Sequence, residues 1–221
     1  MNTMNNIGYA EYLIDFVVAT TFGEPLFTDD IAFGLARKFG IDINKAKKTV
    51  NVYLKRFADR GILTRIRRGV YGKNKTSVFG LIAPDNTQML TNFFIRDGEN
   101  EIGYLAGPAL LNTLGISTLI PAKRTIATNR YRYKINPNGA IETKRPITEV
   151  TNANAKYLQA IEAVKAMKIF PFDAEDPAAV LHKAFQDMGI DVAELLRYAN
   201  EYCNEKELRE IIKIVFGAGI E

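Results

Sequence analysis

The chain has 221 residues, of which 47% are hydrophobic and 24% charged, so its composition is that of an ordinary folded protein with a conventional core. It contains one cysteine, Cys203, and one histidine, His182. An internal disulfide is therefore excluded, and neither a structural zinc site nor a catalytic site built from several imidazoles is expected. We expect a binding protein without a cofactor rather than an enzyme.

The N-terminal segment has no basic region followed by an apolar stretch, and no window of about 18 residues is uniformly apolar. This pattern predicts a cytoplasmic protein without a membrane partner.

Basic residues are concentrated in two segments of the chain. Between Arg37 and Lys75 there are thirteen basic residues and two acidic ones, a net charge of +11. Residues 123–145 carry seven basic residues and one acidic residue, a net charge of +6, and the rest of the chain carries −13 because the total is +4. Like charges repel in a folded protein, so this segregation favours an anionic partner, with nucleic acid as the leading candidate. The alternative is that the lysines are only solvent-exposed residues of helix faces, and it applies above all to the second segment.

Residues 1–75 predict three helices followed by a hairpin. Apolar residues at helical spacing predict a first helix over 9–20. Thr28 as N-cap and Gly40 at the end predict a short second helix. Asn44 as N-cap and Gly61 after the last turn predict a third helix over 44–60.

The third predicted helix has one apolar face and one polar face. Its apolar positions are Ala46, Val50, Tyr53, Leu54 and Phe57. The opposite positions are Asn44, Lys45, Lys48, Asn51, Val52 and Lys55. The first face is expected to pack, and the second to be free and basic.

The hairpin completes the pattern of a winged helix-turn-helix. Alternating residues predict a strand over 62–67, a turn at Arg68 and Gly69, and a returning strand over 70–73. In that fold the third helix enters the major groove of duplex DNA, and the hairpin contacts phosphates or the minor groove. The candidate DNA-binding residues are Asn44, Lys45, Lys47, Lys48, Asn51, Lys55, Arg65, Arg67, Arg68 and Lys73.

The remaining residues predict a mixed domain and then a set of helices. In the mixed domain, helices are expected over 86–96 and 108–114, strands over 117–120, 124–129, 131–135 and 141–150, and a turn at 136–139. Further helices are expected over 155–168, 177–188, 192–203 and 206–216. The predicted fold class is α+β, with a winged helix-turn-helix over residues 1–75, a mixed α/β domain over 76–150 and a C-terminal helical bundle over 151–221.

Four motifs between residues 9 and 135 resemble AbiEi-like antitoxins of type IV toxin–antitoxin systems. They are RIRRGVY at 65–71, the stretch around Gly80 and Pro84, IGYLAGPALLNTLGISTL at 102–119, and the sequence from Ile120 and Pro121 to IATN at 126–129. The segment GYLAGPALLNTLG is the most specific of them. The helices after residue 151 lie outside the resemblance.

The resemblance implies a transcriptional regulator that represses its own promoter by binding inverted repeats of double-stranded DNA. Recognition of such repeats needs a homodimer or a cooperative pair. The resemblance also implies a nucleotidyltransferase-like toxin that is neutralised without a stable complex. The DNA-reading role falls on residues 44–60 and 65–73, and the matching positions of the second domain are expected to be structural: Tyr104, Gly107, Asn112, Leu114, Gly115 and Pro121.

A second function remains open, that of a protein- or RNA-interaction factor in which the winged helix serves docking. Arg130, Tyr131, Arg132 and Tyr133 alternate cations with aromatic rings, as strands that stack RNA bases do. A half-buried strand would show the same alternation.

Overall fold

The computed structural model describes residues 3–78, 80–133 and 139–217. Helices and short strands alternate along these residues, so the predicted α+β class is confirmed at this level. Two compact units make up the chain, residues 1–93 and residues 94–221.

The first unit contains three helices and a three-stranded antiparallel sheet, followed by a small hairpin and the start of a fourth helix. The helices are α1 (Thr3–Ala19), α2 (Thr28–Phe39), α3 (Ile43–Asp59) and α4 (Asn86–Ile95), the last of which crosses the boundary between the units. The strands are β1 (Pro25–Phe27), β2 (Leu63–Arg67), β3 (Val70–Lys73), β4 (Lys75–Ser77) and β5 (Gly80–Ile82).

The strands predicted over 62–67 and 70–73 are confirmed, and β1 is an addition to them. β3 lies between β1 and β2, with Leu26 of β1 opposite Tyr71 of β3. Gly69 turns the chain between β2 and β3 with a φ of 78°, a value that favours glycine. Pro25 begins β1, because an edge strand tolerates a residue without a backbone N–H.

The core of the first unit lies between α1, α2, α3 and the sheet. Leu13, Ile31, Leu54, Leu63 and Tyr71 are buried there. The predicted apolar face of α3 is confirmed, since four of its five positions are buried and Tyr53 is half-buried.

The two predicted N-caps are wrong. Thr28 is the first residue of α2 because β1 leads directly into the helix. Its hydroxyl makes no capping bond, and its N–H donates to the Gly69 carbonyl oxygen at 2.9 Å. α3 begins at Ile43 and is capped by Asp42, whose carboxylate accepts from the N–H groups of Asn44 and Lys45 at 2.8 and 3.1 Å. A carboxylate at this position satisfies two free N–H groups and faces the positive end of the helix dipole.

Replacing Asp42 and Asn44 one at a time shows which of the two side chains caps α3. We expect Asp42→Ala to lower the free energy of unfolding by about 1 kcal/mol, because the first N–H groups of α3 lose their acceptor. Asn44→Ala is the matched control and is expected to change it by less than about 0.5 kcal/mol, as an exposed substitution without a lost bond. Urea unfolding followed by circular dichroism measures both, and an equal loss in the two variants would contradict the assignment of Asp42.

The described residues of the second unit form a small mixed sheet, a two-stranded hairpin and five helices. The strands are β6 (Arg96–Asp97), β7 (Asn100–Glu101), β8 (Gly103–Ala106), β9 (Arg124–Thr128) and β10 (Ile141–Lys144). The helices are α5 (Gly107–Thr113), α6 (Ala155–Met167), α7 (Pro177–Asp187), α8 (Val192–Tyr202) and α9 (Glu205–Phe216). In the larger sheet β9 lies between β8, to which it is antiparallel, and β10, to which it is parallel.

α6 is the central helix of this unit. It packs against β8 and α5, and also against α8 and α9, and residues from Tyr157 to Ala166 are buried around most of its circumference. The mixed segment and the C-terminal helices therefore share one core. The two compact units meet between residues 93 and 94, and the domains predicted over 1–75, 76–150 and 151–221 stay a prediction.

All four C-terminal helices are confirmed, as are α4, α5, β9 and the start of the extended segment at β10. The strand predicted over 117–120 is absent, because this stretch forms a loop in which the Thr118 N–H donates to the Asp173 carboxylate at 2.8 Å. Tyr131 and Arg132 lie in a turn instead of a strand. The rest of that predicted strand, at residues 134–135, and most of the predicted 136–139 turn lie outside the described residues.

The segment GYLAGPALLNTLG forms β8 followed by α5. Gly107 lies at the junction with a φ of 58°, and Gly115 follows the helix with a φ of 74°. The Asn112 side-chain amide donates to the Ser117 carbonyl oxygen at 3.1 Å, and Tyr104 is 4% exposed. These positions shape a turn and a core.

Candidate nucleic-acid interface

The polar face of α3 is exposed along its length. Its members are Asn44, Lys45, Lys48, Asn51, Val52 and Lys55, all of them exposed as predicted. The orientation of this face follows from the opposite one, because burial of Ala46, Val50, Leu54 and Phe57 holds the helix in one rotation about its axis.

Three ammonium groups on this face have no acidic partner. Among the described residues, none forms an ion pair or hydrogen bond with the side chains of Lys45, Lys48 and Lys55. The Asn51 amide donates to the Lys47 carbonyl oxygen of the same helix at 2.9 Å. Exposed cations on one face of a helix are available to an anionic ligand.

Lys47 occupies a different position from the other lysines of α3. Its ammonium lies 2.8 Å from an Asp29 carboxylate oxygen in the first turn of α2. Such a surface ion pair contributes about 0.2–1 kcal/mol to stability. Lys47 therefore links two helices, and its charge is compensated locally.

The hairpin presents three arginines. Arg65 and Arg67 are exposed on β2, and Arg68 is exposed in the turn next to Gly69. Lys73 differs from them, because its ammonium donates to the carbonyl oxygens of Val18 and Thr20 at 2.8 and 3.0 Å. The Lys73 ammonium thus binds carbonyl oxygens at the C-terminal end of α1, where the helix dipole makes a cation stabilising.

A recess joins α3 to the hairpin. It has a volume of about 390 Å³ and is lined by Asn51, Lys55, Ala58, Asp59, Arg65 and Tyr71. Lys55 and Arg65 are ten residues apart and belong to different elements, so only the fold shows that they share one concave surface.

Two further cations near the end of α3 were missing from the candidate residues. Arg56 and Arg60 are exposed, and the Arg56 guanidinium lies 5.5 Å from the centroid of the Tyr53 ring. Both arginines belong to the basic segment between Arg37 and Lys75, and this is the sequence signal that could have identified them.

Two cations of the second basic segment are compensated by carboxylates. Arg130 pairs with Asp97 at 2.8 Å, and Lys144 pairs with Glu162 at 2.6 Å. Arg132 and Arg145 lie beside the ring of Tyr131. Lys134 lies outside the described residues.

Several ionisable groups of the second unit have shifted pKa values. Burial raises the pKa of Tyr104, and the nearby Glu162 carboxylate adds to the effect. Burial also raises the pKa of the Cys203 thiol, which keeps it protonated and weakly nucleophilic at neutral pH. Hydrogen bonds from Thr118 lower the pKa of Asp173, which is an ordinary consequence of stabilising a carboxylate.

His182 has local structural partners. Its Nδ1 lies 2.9 Å from the Ile214 carbonyl oxygen, and its Nε2 lies 2.9 Å from the Gln186 amide nitrogen. Among residues 3–78, 80–133 and 139–217, no group of three or more His, Cys, Asp or Glu residues is arranged to hold a metal ion.

No protein-family model matches the chain, and no curated protein is significantly similar to it in sequence. Within the described part of the chain, every helix is too short or too polar to cross a lipid bilayer.

Proposed function

We propose that the protein is a sequence-specific DNA-binding transcriptional regulator whose residues 1–75 act as a winged helix-turn-helix. In this proposal α3 is the recognition helix, β2 and β3 form the wing, and double-stranded DNA is the partner. The observation that carries the proposal is the exposed face of α3, with three lysines that no described carboxylate compensates.

The dimensions and chemistry of this surface suit duplex DNA. The 17 residues of α3 make a helix about 25 Å long. An α-helix with its side chains is about 10–12 Å across, a width that the major groove of B-DNA admits. Lys45, Lys48 and Lys55 would contact phosphates or guanine edges, and Asn51 can read adenine. Arg65 and Arg68 would contact the backbone beside the groove.

The proposed contacts divide the candidate residues into two groups. The Lys47 ammonium is paired with Asp29, and the Lys73 ammonium is bonded to carbonyl oxygens at the end of α1. We therefore assign both lysines a positioning role. The remaining candidates form the contact surface.

Removing two lysines from the exposed face tests the proposal. We expect the double variant Lys48→Ala/Lys55→Ala to bind a duplex from the region upstream of its own gene at least about tenfold more weakly, a loss of about 1.4 kcal/mol. Two lost phosphate contacts would also reduce the slope of log affinity against log salt concentration by about 1.8. Fluorescence anisotropy over a range of NaCl concentrations measures both quantities.

A matched control removes the same charge elsewhere. Lys183 and Lys206 are exposed on α7 and α9, and Lys183→Ala/Lys206→Ala is expected to leave duplex affinity within about twofold, because its lysines are outside the proposed contact surface. If both double variants lose affinity equally, net charge alone governs binding and the assignment of α3 is wrong. Unchanged affinity in the α3 variant would contradict it as well.

We propose further that the regulated promoter is its own and that the protein is an antitoxin of a type IV toxin–antitoxin system. The support for this step is the resemblance of residues 65–71 and 102–129 to AbiEi-like antitoxins. Binding to inverted repeats by two copies and an adjacent gene for a nucleotidyltransferase-like toxin are the expected accompaniments. Co-expression tests the step: the protein should restore growth to cells that express the neighbouring toxin, and no restoration would contradict it.

A further inference from the structure

The second unit has a nucleotide-sized recess that the DNA-binding proposal does not use. Its volume is about 290 Å³, and it is lined by Asn129, Tyr131, Arg145, Pro146, Ile147, Thr148 and Glu149. It lies within the second basic segment and the loop that follows β10.

Two guanidinium groups flank one aromatic ring of this recess. The guanidinium carbons of Arg132 and Arg145 lie 5.5 and 5.9 Å from the centroid of the Tyr131 ring, and the Arg132 Nε donates to the Tyr131 hydroxyl at 3.2 Å. Cation–π attraction holds both charges near the ring. Neither arginine forms an ion pair with a described residue, whereas Arg130 and Lys144 of the same segment are paired with carboxylates.

The walls of the recess are held by side chains that bond to the backbone. The Asn129 amide donates to the Val150 carbonyl oxygen at 2.8 Å, and its oxygen accepts from the Val150 N–H at 2.9 Å. The Thr143 hydroxyl donates to the Tyr131 carbonyl oxygen at 3.3 Å. A site prepared in this way loses little conformational entropy when a ligand binds.

The lining combines anion-binding groups with apolar surface. Arg145 in the lining and Arg132 beside Tyr131 can each bind a phosphate in a bidentate manner, while the half-exposed Ile147 offers apolar surface to a base. In a duplex the bases are stacked and inaccessible, whereas a single strand can place an unstacked base in a recess. Glu149 at the recess carries the one opposing charge among its lining residues.

We infer that this recess binds one nucleotide unit of a single-stranded nucleic acid, with Arg145 and the adjacent Arg132 on the phosphate and the exposed surface of Ile147 against the base. This site is separate from the surface proposed for duplex DNA, and the inference does not depend on the proposal of duplex binding.

A binding assay with a labelled single-stranded RNA of mixed sequence and about ten nucleotides tests the inference on the full chain. We expect Arg132→Ala/Arg145→Ala to weaken binding at least about fivefold, since two charge-assisted contacts are lost. Glu149→Gln is expected to strengthen binding by about twofold, because it removes a like charge from the phosphate site. Arg197→Ala/Arg209→Ala removes the same charge from α8 and α9 of the same unit and should leave affinity within about twofold.

Three outcomes would overturn the inference. The first is unchanged RNA affinity in Arg132→Ala/Arg145→Ala, and the second is an equal loss in the α8 and α9 control. The third is displacement of the RNA by adenosine monophosphate as effectively as by unlabelled RNA, which would assign the recess to a free nucleotide. Duplex affinity separates the two proposals: Lys48→Ala/Lys55→Ala should reduce binding of duplex DNA more than binding of RNA, and Arg132→Ala/Arg145→Ala should do the reverse.

Discussion

Gly103→Ala is expected to lower the free energy of unfolding of the second unit by about 3 kcal/mol. A Cβ atom at this position would overlap the Phe94 carbonyl oxygen and lie 2.8 Å from the Ala127 carbonyl oxygen. Both obstacles are backbone atoms, and Gly103 is held opposite Thr128 by the pairing of β8 with β9. The strand therefore has to shift, and the core that contains Tyr104 and Ala106 shifts with it.

Gly98→Ala is the control for this change. It adds the same methyl group at a turn where nothing lies within 4 Å, so only the strain of a φ of 60° remains, which amounts to about 1 kcal/mol. Because the chain has no tryptophan, far-ultraviolet circular dichroism during urea unfolding is the suitable measurement. A loss in Gly103→Ala no larger than in Gly98→Ala would show that the sheet accommodates a side chain there.

Asn154→Ala is expected to lower the free energy of unfolding by about 2 kcal/mol, because two backbone groups lose the side chain that binds them, at about 1 kcal/mol for each hydrogen bond. The Asn154 amide donates to the Glu149 carbonyl oxygen at 2.8 Å, and its oxygen accepts from the Thr151 N–H at 2.8 Å. Asn154 itself is 8% exposed.

The same substitution has a consequence for the recess. The loop that Asn154 holds includes Glu149, and Ile147 and Thr148 precede it in the lining. We therefore expect Asn154→Ala to weaken single-stranded RNA binding while duplex binding through α3 is retained. Asn200→Ala, an exposed change on α8, is the control and should alter stability by less than about 0.5 kcal/mol. Equal stability of Asn154→Ala and Asn200→Ala would contradict the role given to the loop.

The two proposed surfaces use basic residues in different ways. On α3 the lysines extend from a helix and suit the regular spacing of phosphates in a duplex. In the second unit the two arginines are gathered around one ring beside a recess, which suits a single irregular contact.

The helices that the sequence predicted well are those with a local signal. α3 is one example, because its apolar stripe and the Gly61 stop depend on neighbouring residues only. α7 and α9 are others, since Asp176 and Asn204 accept hydrogen bonds from the first N–H groups of the helices that follow them. Both the existence of the exposed basic face and the residues that belong to it followed from this periodicity.

Tertiary structure decided the features that depend on partners distant in sequence. The sequence did not predict β1 or β8, because short strands show little periodicity and depend on pairing with β3 and β9. Lys73 was grouped with the hairpin arginines, yet its ammonium binds the Val18 carbonyl oxygen more than fifty residues earlier. The recess beside Tyr131 likewise joins residues on either side of β10. Spacing along the chain determines which side chains share a helix face, whereas contacts between segments form only when the whole chain packs.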